Sequence, residues 1–134
     1  ESLTESYDVL HLMFLDQPTV WAIERRGDGR LMGSIGLIAD SARQYGSVRS
    51  VGYSLGTAYW GRGYMTEAVR AVTRFGFEKM LLDLISATCY PDNLRSRRVL
   101  EKCGFVYEGT LHRAELLFNG EVRDHLHFYL PHLK

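Results

Sequence analysis

Apolar side chains at Leu3, Tyr7, Leu10 and Phe14 recur every three or four residues, which predicts a helix over 3–15 that stops before Pro18. From Thr19 to Glu24 the chain is dense in strand formers, and Gly27-Asp28-Gly29 supplies turn chemistry. Leu31 to Ile38 reads as the returning strand, although Gly33 and Gly36 weaken it, so the pair predicts a hairpin. Asp40 to Arg49 is polar and aperiodic and is assigned to a loop, whereas Ser50 to Leu55 alternates small or polar with apolar residues as a strand does. Three glycines between Gly56 and Gly63 precede a helical pattern of Met65, Ala68, Val69, Val72 and Phe75 that runs to Phe77 or Lys79. Leu81 to Cys89 is an apolar run suited to a buried strand. Pro91-Asp92-Asn93 breaks it, and Leu94 to Cys103 forms a short helix with Asp92 or Asn93 as its cap and Gly104 at its end. Phe105–Arg113 and Glu121–Leu130 close the chain as a second hairpin around Asn119-Gly120.

Strands and helices in this order predict a mixed α/β sheet with helices packed on it. A length of 134 residues with 46% apolar content fits one domain and one core. Sixteen basic and sixteen acidic side chains cancel, so no general attraction to nucleic acid or to an anionic membrane is expected. No apolar run approaches the roughly 20 residues that span a bilayer, which makes a cytoplasmic setting the expectation. Cys89 and Cys103 alone are weak grounds for a disulfide. The chain opens on Glu1 directly into its first element, from which an upstream segment is expected.

Chemistry concentrates in Tyr59-Trp60-Gly61-Arg62-Gly63-Tyr64-Met65-Thr66-Glu67-Ala68, between a strand and a long amphipathic helix. Gly61 and Gly63 permit a tight path, after which amides at the helix start face outward and favour an anion such as a pyrophosphate. Arg62 adds charge if it turns inward. On spacing alone, an ordinary strand-to-helix turn is the simpler account. Neither GxxxxGK[ST] nor GxGxxG is complete, so ATP and NAD are poor candidates.

The same segment, Leu55 through Ala68, resembles the acetyl-coenzyme A binding stretch of the GCN5-related N-acetyltransferases, particularly the branch of ribosomal-protein N-terminal acetyltransferases. The likeness continues through Asn93-Leu94-Arg95-Ser96, Glu101-Lys102-Cys103-Gly104-Phe105, Asp124-His125 and Phe128-Tyr129. It implies an acyl-CoA N-acyltransferase fold, a splayed mixed sheet flanked by helices, in one domain over 1–134 that lacks its usual first strand and helix. It further implies that Val51–Gly56 and Leu84–Cys89 part at their ends to admit the pantetheine arm of acetyl-CoA. Peptide groups at Tyr53, Ser54 and Leu55 would pair with that arm. The diphosphate would lie over Trp60, Gly61, Arg62, Gly63 and Tyr64, assisted by Thr66. Asn93 falls where the family contacts the arm, or serves as a helix cap, or both. Ser96 donates to the departing thiolate, or bonds to the preceding helical turn. Leu100 stands where many members carry an acidic tyrosine, so an acid role passes to Ser96, another hydroxyl, water or solvent.

For the base, Glu115 aligns approximately with an acidic position of the ribosomal branch and is equally readable as a surface charge; Asp124 and Glu24 are weaker alternatives. An amine attacking the acetyl carbonyl generates an oxyanion that a backbone amide near Leu55 would stabilise. Direct transfer in a ternary complex is preferred over a covalent intermediate on Cys89, which reads as a buried thiol. Arg95, Arg97 and Arg98 approach the adenosine phosphates or form a solvated face. His11, His112, His125, His127 and His132 lack zinc context, and no metal is called for. The expected partner is an amine acceptor, a protein N-terminus or a small molecule, in a monomer or homodimer. A noncatalytic coenzyme A binding domain is the competing reading.

Overall fold

The computed structural model describes residues 4–6, 10–16, 19–43 and 45–132. Its first elements correct the sequence reading: where a helix was expected over 3–15, the chain forms strands β1, Thr4–Ser6, and β2, Leu10–Asp16. Leu3 and Tyr7 lie outside the described residues. Leu10 and Phe14 fit a helical period, but together with Leu12 they fit a period of two, and long-range pairing decides the outcome. β2 lies antiparallel to β3, Val20–Arg25, with Leu12 opposite Ile23, and Leu12 is fully buried.

The expected first hairpin is present as β3 and β4, Leu31–Ala39, with Trp21 opposite Ile35. β5, Val48–Leu55, continues the antiparallel run, and a 3-10 turn at Thr57–Tyr59 leads to helix α1, Tyr64–Glu78. β6, Leu84–Cys89, then lies parallel to β5, a pairing that needs the crossover α1 supplies. Helix α2, Leu94–Lys102, leads into the closing hairpin of β7, Val106–Leu116, and β8, Val122–Pro131. β8 inserts between β6 and β7, so the eight-stranded sheet runs β1-β2-β3-β4-β5-β6-β8-β7.

Strand alternation puts Trp21, Ile35, Leu37, Val51, Ile85, Ala87, Leu126 and Phe128 on one face. That face is buried in one core with Ala68, Val69, Val72 and Phe75 of α1 and Leu100 of α2. Each valine, leucine, isoleucine or phenylalanine among them contributes about 1.5–3 kcal/mol by leaving water. Trp21 and Phe75 meet edge to face at 5.4 Å between ring centres. The helices and the sheet's core face therefore form one layer pair. The opposite face carries Ser34, Ser50, Ser54, Ser86, Thr88 and His127 by the same alternation. There Asp40 accepts hydrogen bonds from the Ser86 hydroxyl and the Ala42 and Arg43 amides, and Arg43 also pairs with Glu108. No helix among the described residues is long and apolar enough to cross a membrane.

Candidate active site

Ladder pairing between β5 and β6 is confined to Val48–Ser50 against Leu84–Ser86. Beyond Ser50 the strands separate, as expected from the sequence, and the β6-facing edge of Val51–Leu55 has no strand partner there. β4 still follows β5 to its end, with Gly33 opposite Leu55. A Cβ at Gly33 would lie 2.0 Å from the Ser54 carbonyl oxygen, so this close approach admits only glycine.

The gap opens into a cleft of about 960 Å³, lined from both sides of the sheet. Tyr53, Leu55, Cys89 and Ser96 reach it from the helix side, whereas Gly52, Ser54, Thr88 and His125 reach it from the opposite face. The cleft thus passes between the parted strands, with residues of both sheet faces along it.

On the helix side, Gly61 has φ 75° and Gly63, the N-cap of α1, has φ 81°. A Cβ at either would meet open space, so these positions demand glycine through backbone conformation and not through crowding. α1 starts with no side-chain cap, which leaves its first amides and the positive end of its dipole available to an anion. Trp60, Gly61, Gly63, Tyr64 and Thr66 all line the cleft, and Arg95, Arg98 and Lys102 bring positive charge from α2. Arg62 is not among the lining residues. Trp60 donates from Nε1 to the Leu55 carbonyl at 2.9 Å, and the Arg95 guanidinium stacks 3.6 Å from the Trp60 ring centre. This contact ties the glycine loop to α2 across the mouth of the cleft.

Asn93 caps α2, its side-chain oxygen accepting from the Ser96 amide at 3.1 Å, and it also lines the cleft. The Ser96 hydroxyl lies 2.7 Å from the Tyr53 hydroxyl, a bridge from β5 to α2 that joins the two sides of the splay. Burial pushes the Tyr53 hydroxyl up to about 12, with the Ser96 contact opposing, so it keeps its proton near neutral pH. The sequence identified Tyr53 for its peptide groups and missed its side chain. Leu100 is fully buried in the core. Cys89 lines the cleft, and burial pushes its thiol above the usual range, which keeps it protonated and weakly nucleophilic. Both cysteines are free.

At the opposite face Glu115 meets two partners that sequence spacing did not indicate. Its Oε1 accepts from the Tyr90 hydroxyl at 2.9 Å and lies 2.9 Å from His125 Nε2. His125 first and Tyr90 second hold the Glu115 carboxyl below its ordinary range. Arg123 stacks 4.4 Å from the Tyr90 ring centre and pairs with Asp92 at 2.6 Å. A bulge in β7 creates this grouping: Leu111 lies opposite His125 while Glu115 lies opposite Arg123, four residues of one strand against two of the other. Within the bulge Arg113 takes φ 54°, and Asp124 accepts from its amide at 2.8 Å and contacts His112 at 3.0 Å. Asp124 therefore supports the bulge. Neither Asp124 nor Glu24 lines the cleft. Among the described residues no group of three or more histidines, cysteines or carboxylates is arranged to hold a metal ion.

Residues 2–106 match the family model for the acetyltransferase (GNAT) domain. The chain is 40% identical over 112 residues to "Probable N-acetyltransferase YjcK" of Bacillus subtilis, an alignment covering 82% of this chain and 60% of that one. The structure superimposes on the ribosomal-protein-S5-alanine acetyltransferase of Vibrio fischeri with TM-score 0.75 and 28% identity, over 84% of this chain and 61% of the other. It also resembles the microcin C7 self-immunity acetyltransferase MccE, solved with acetyl-CoA and AMP, with TM-score 0.70 and 25% identity, over 84% and 60% of the two chains. The chain thus spans about 60% of the length of these relatives.

Proposed function

This chain belongs to the GNAT acetyltransferase family, and from that premise we propose that it moves an acetyl group from acetyl-CoA to a primary amine by direct attack in a ternary complex. One observation carries the reading: a passage through the sheet at the β5–β6 splay, flanked by a glycine-led, uncapped helix start. That helix start supplies several amide donors to a diphosphate, with Thr66 and Lys102 beside them. The free edge at Tyr53, Ser54 and Leu55 offers peptide groups to an amide-bearing arm, and Asn93 caps α2 alongside it. When bound, acetyl-CoA supplies an activated acyl carbon and a thiolate leaving group.

Ser96, joined to Tyr53, is the proton donor to the leaving sulfur, and that pair takes the place of the tyrosine many members carry where Leu100 is buried. Glu115, held as a carboxylate, places negative charge at the opposite face, where an incoming ammonium is attracted. The amine reaches the acyl carbon from the far side of the sheet, so reactants meet without an acyl-enzyme step. A protein N-terminal α-amine is the favoured acceptor, supported by the motif likeness to the ribosomal branch and the similarity to the S5-alanine enzyme of Vibrio fischeri.

The test is acetyl-CoA turnover against an N-terminal alanine peptide, spermidine and an aminoglycoside, with mass detection of the acetylated amine. Acetylation of the peptide amine at the highest kcat/KM is expected. Saturable CoA binding with no product from any acceptor would favour a noncatalytic coenzyme A binding domain, a reading to which the buried Leu100 also belongs. Failure to bind CoA at all would overturn the donor assignment.

A further inference from the structure

Resting on the acetyltransfer reading, we propose that His125 is the base that takes the proton from the acceptor ammonium, and that Glu115 and Tyr90 position it. The assignment begins with hydrogen-bond chemistry. A carboxylate only accepts, so a bond between Glu115 Oε1 and His125 Nε2 requires the ring proton on Nε2. The Glu115 carboxyl is stabilised as an ion by that bond and by the Tyr90 hydroxyl, which fills the same oxygen. In neutral His125 the remaining lone pair is then on Nδ1, and this lone pair is the one able to take a proton. A carboxylate that fixes the tautomer and supports the imidazolium formed on protonation is the logic of an orienting acid beside a catalytic histidine.

Placement agrees with this role. His125 lines the cleft on the face opposite the glycine loop, and three-quarters of its side chain is shielded from solvent. Glu115 of β7 faces it, as do Tyr90 after β6, Arg123 and His127 on β8, and Asp92 through Arg123. Arg123 is drawn away by Asp92 and by the Tyr90 ring, so the guanidinium does not occupy Glu115. Glu115 itself is a poor resting place for the proton, because its bonds favour the ionised form.

The step balances as follows. The ammonium loses one proton to His125 Nδ1, the neutral amine forms a C–N bond to the acyl carbon, and the C–S bond breaks. The second proton passes from the nitrogen to the Ser96 oxygen as that hydroxyl gives its own to sulfur, so Ser96 ends as it began, and His125 returns the first proton to solvent.

Two measurements test this. Histidine-labelled protein read by NMR should show neutral His125 as the Nε2–H tautomer, and Glu115→Ala should weaken that bias because the accepting carboxylate is gone. Kinetics of the alanine peptide should show kcat/KM rising with pH, as a base that must be unprotonated to act requires. His125→Gln should lower kcat by about 10²–10⁴-fold and abolish that limb while CoA affinity stays within about twofold. Added imidazole should restore part of the rate in His125→Ala. An Nδ1–H tautomer, or a His125→Gln enzyme with the parental rate and pH profile, overturns the proposal. An inert acceptor panel with CoA still bound defeats the acetyltransfer reading instead, and the proposal falls with it even if the tautomer is as expected.

Discussion

The Tyr53 and Ser96 hydroxyls hold each other across the splay, and burial keeps Tyr53 protonated near neutral pH. A donor to sulfur needs to be held in place more than it needs acidity, because a thiolate is a stable leaving group. Ser96→Ala is expected to lower kcat about 10²-fold with little change in CoA affinity, and Tyr53→Phe to lower it less; steady-state kinetics with calorimetric CoA titration separates the two effects. Adding Tyr53→Phe to Ser96→Ala should cost little more, as members of one unit do. Gly63→Val acts differently: its Cβ meets open space, but φ 81° is unfavourable for a β-branched residue by about 1–3 kcal/mol. CoA affinity should fall roughly tenfold or more in a folded variant as the loop relaxes. Gly61, Gly63, Asn93 and Ser96 were legible as cleft-lining residues because they belong to one ordered motif. The grouping of Tyr90 and His125 around Glu115 was not, since these residues are separated in sequence and only geometry joins them.

Among the elements, the bulged strand β7 does most to shape the far side of the cleft. Its register shift turns Glu115 toward His125, and Asp124 secures the shift through the Arg113 amide and His112. Asp124→Ala is therefore expected to cut kcat/KM for the acceptor about tenfold while leaving CoA binding intact; an unchanged acceptor KM and kcat would remove the bulge from the mechanism. Sequence reasoning ended this strand at Arg113, because a residue pattern cannot show that a left-handed residue will carry the strand onward. It located α1, α2 and both later hairpins well, since their periodicity is strong and their turns contain glycine or asparagine. The opening element was misread for the opposite reason: Leu10 and Phe14 satisfy two periods at once, and pairing with β3 settles what local pattern leaves open.

At the scale of the molecule, Asp40 links β4 to β6 and, through Arg43 and Glu108, to β7. Burial pushes Asp40 upward, but the Ser86 hydroxyl and the Arg43 and Ala42 amides outweigh it, and the net shift is downward. Asp28 is held at about 2 by Arg25, and Glu115 and Asp124 are lowered as well. Folded pKa values below unfolded ones contribute stability that is present above the unfolded carboxylate range near 4 and is lost as pH falls through the folded values. Melting temperature should accordingly stay level from about pH 7 to 5 and drop below about pH 4, with Asp40→Asn less sensitive in that interval. The general architecture was legible because apolar strands and one long amphipathic helix leave few alternatives, whereas the polar ties on the open face join residues that no local pattern connects. The three residue pairs that join β5 to β6 are a short seam between two plates of sheet, one of five strands and one of three. A guest lodged in the opening beyond that seam would touch both plates like a wedge in a split plank, so occupancy is expected to stiffen the scaffold and release to slacken it.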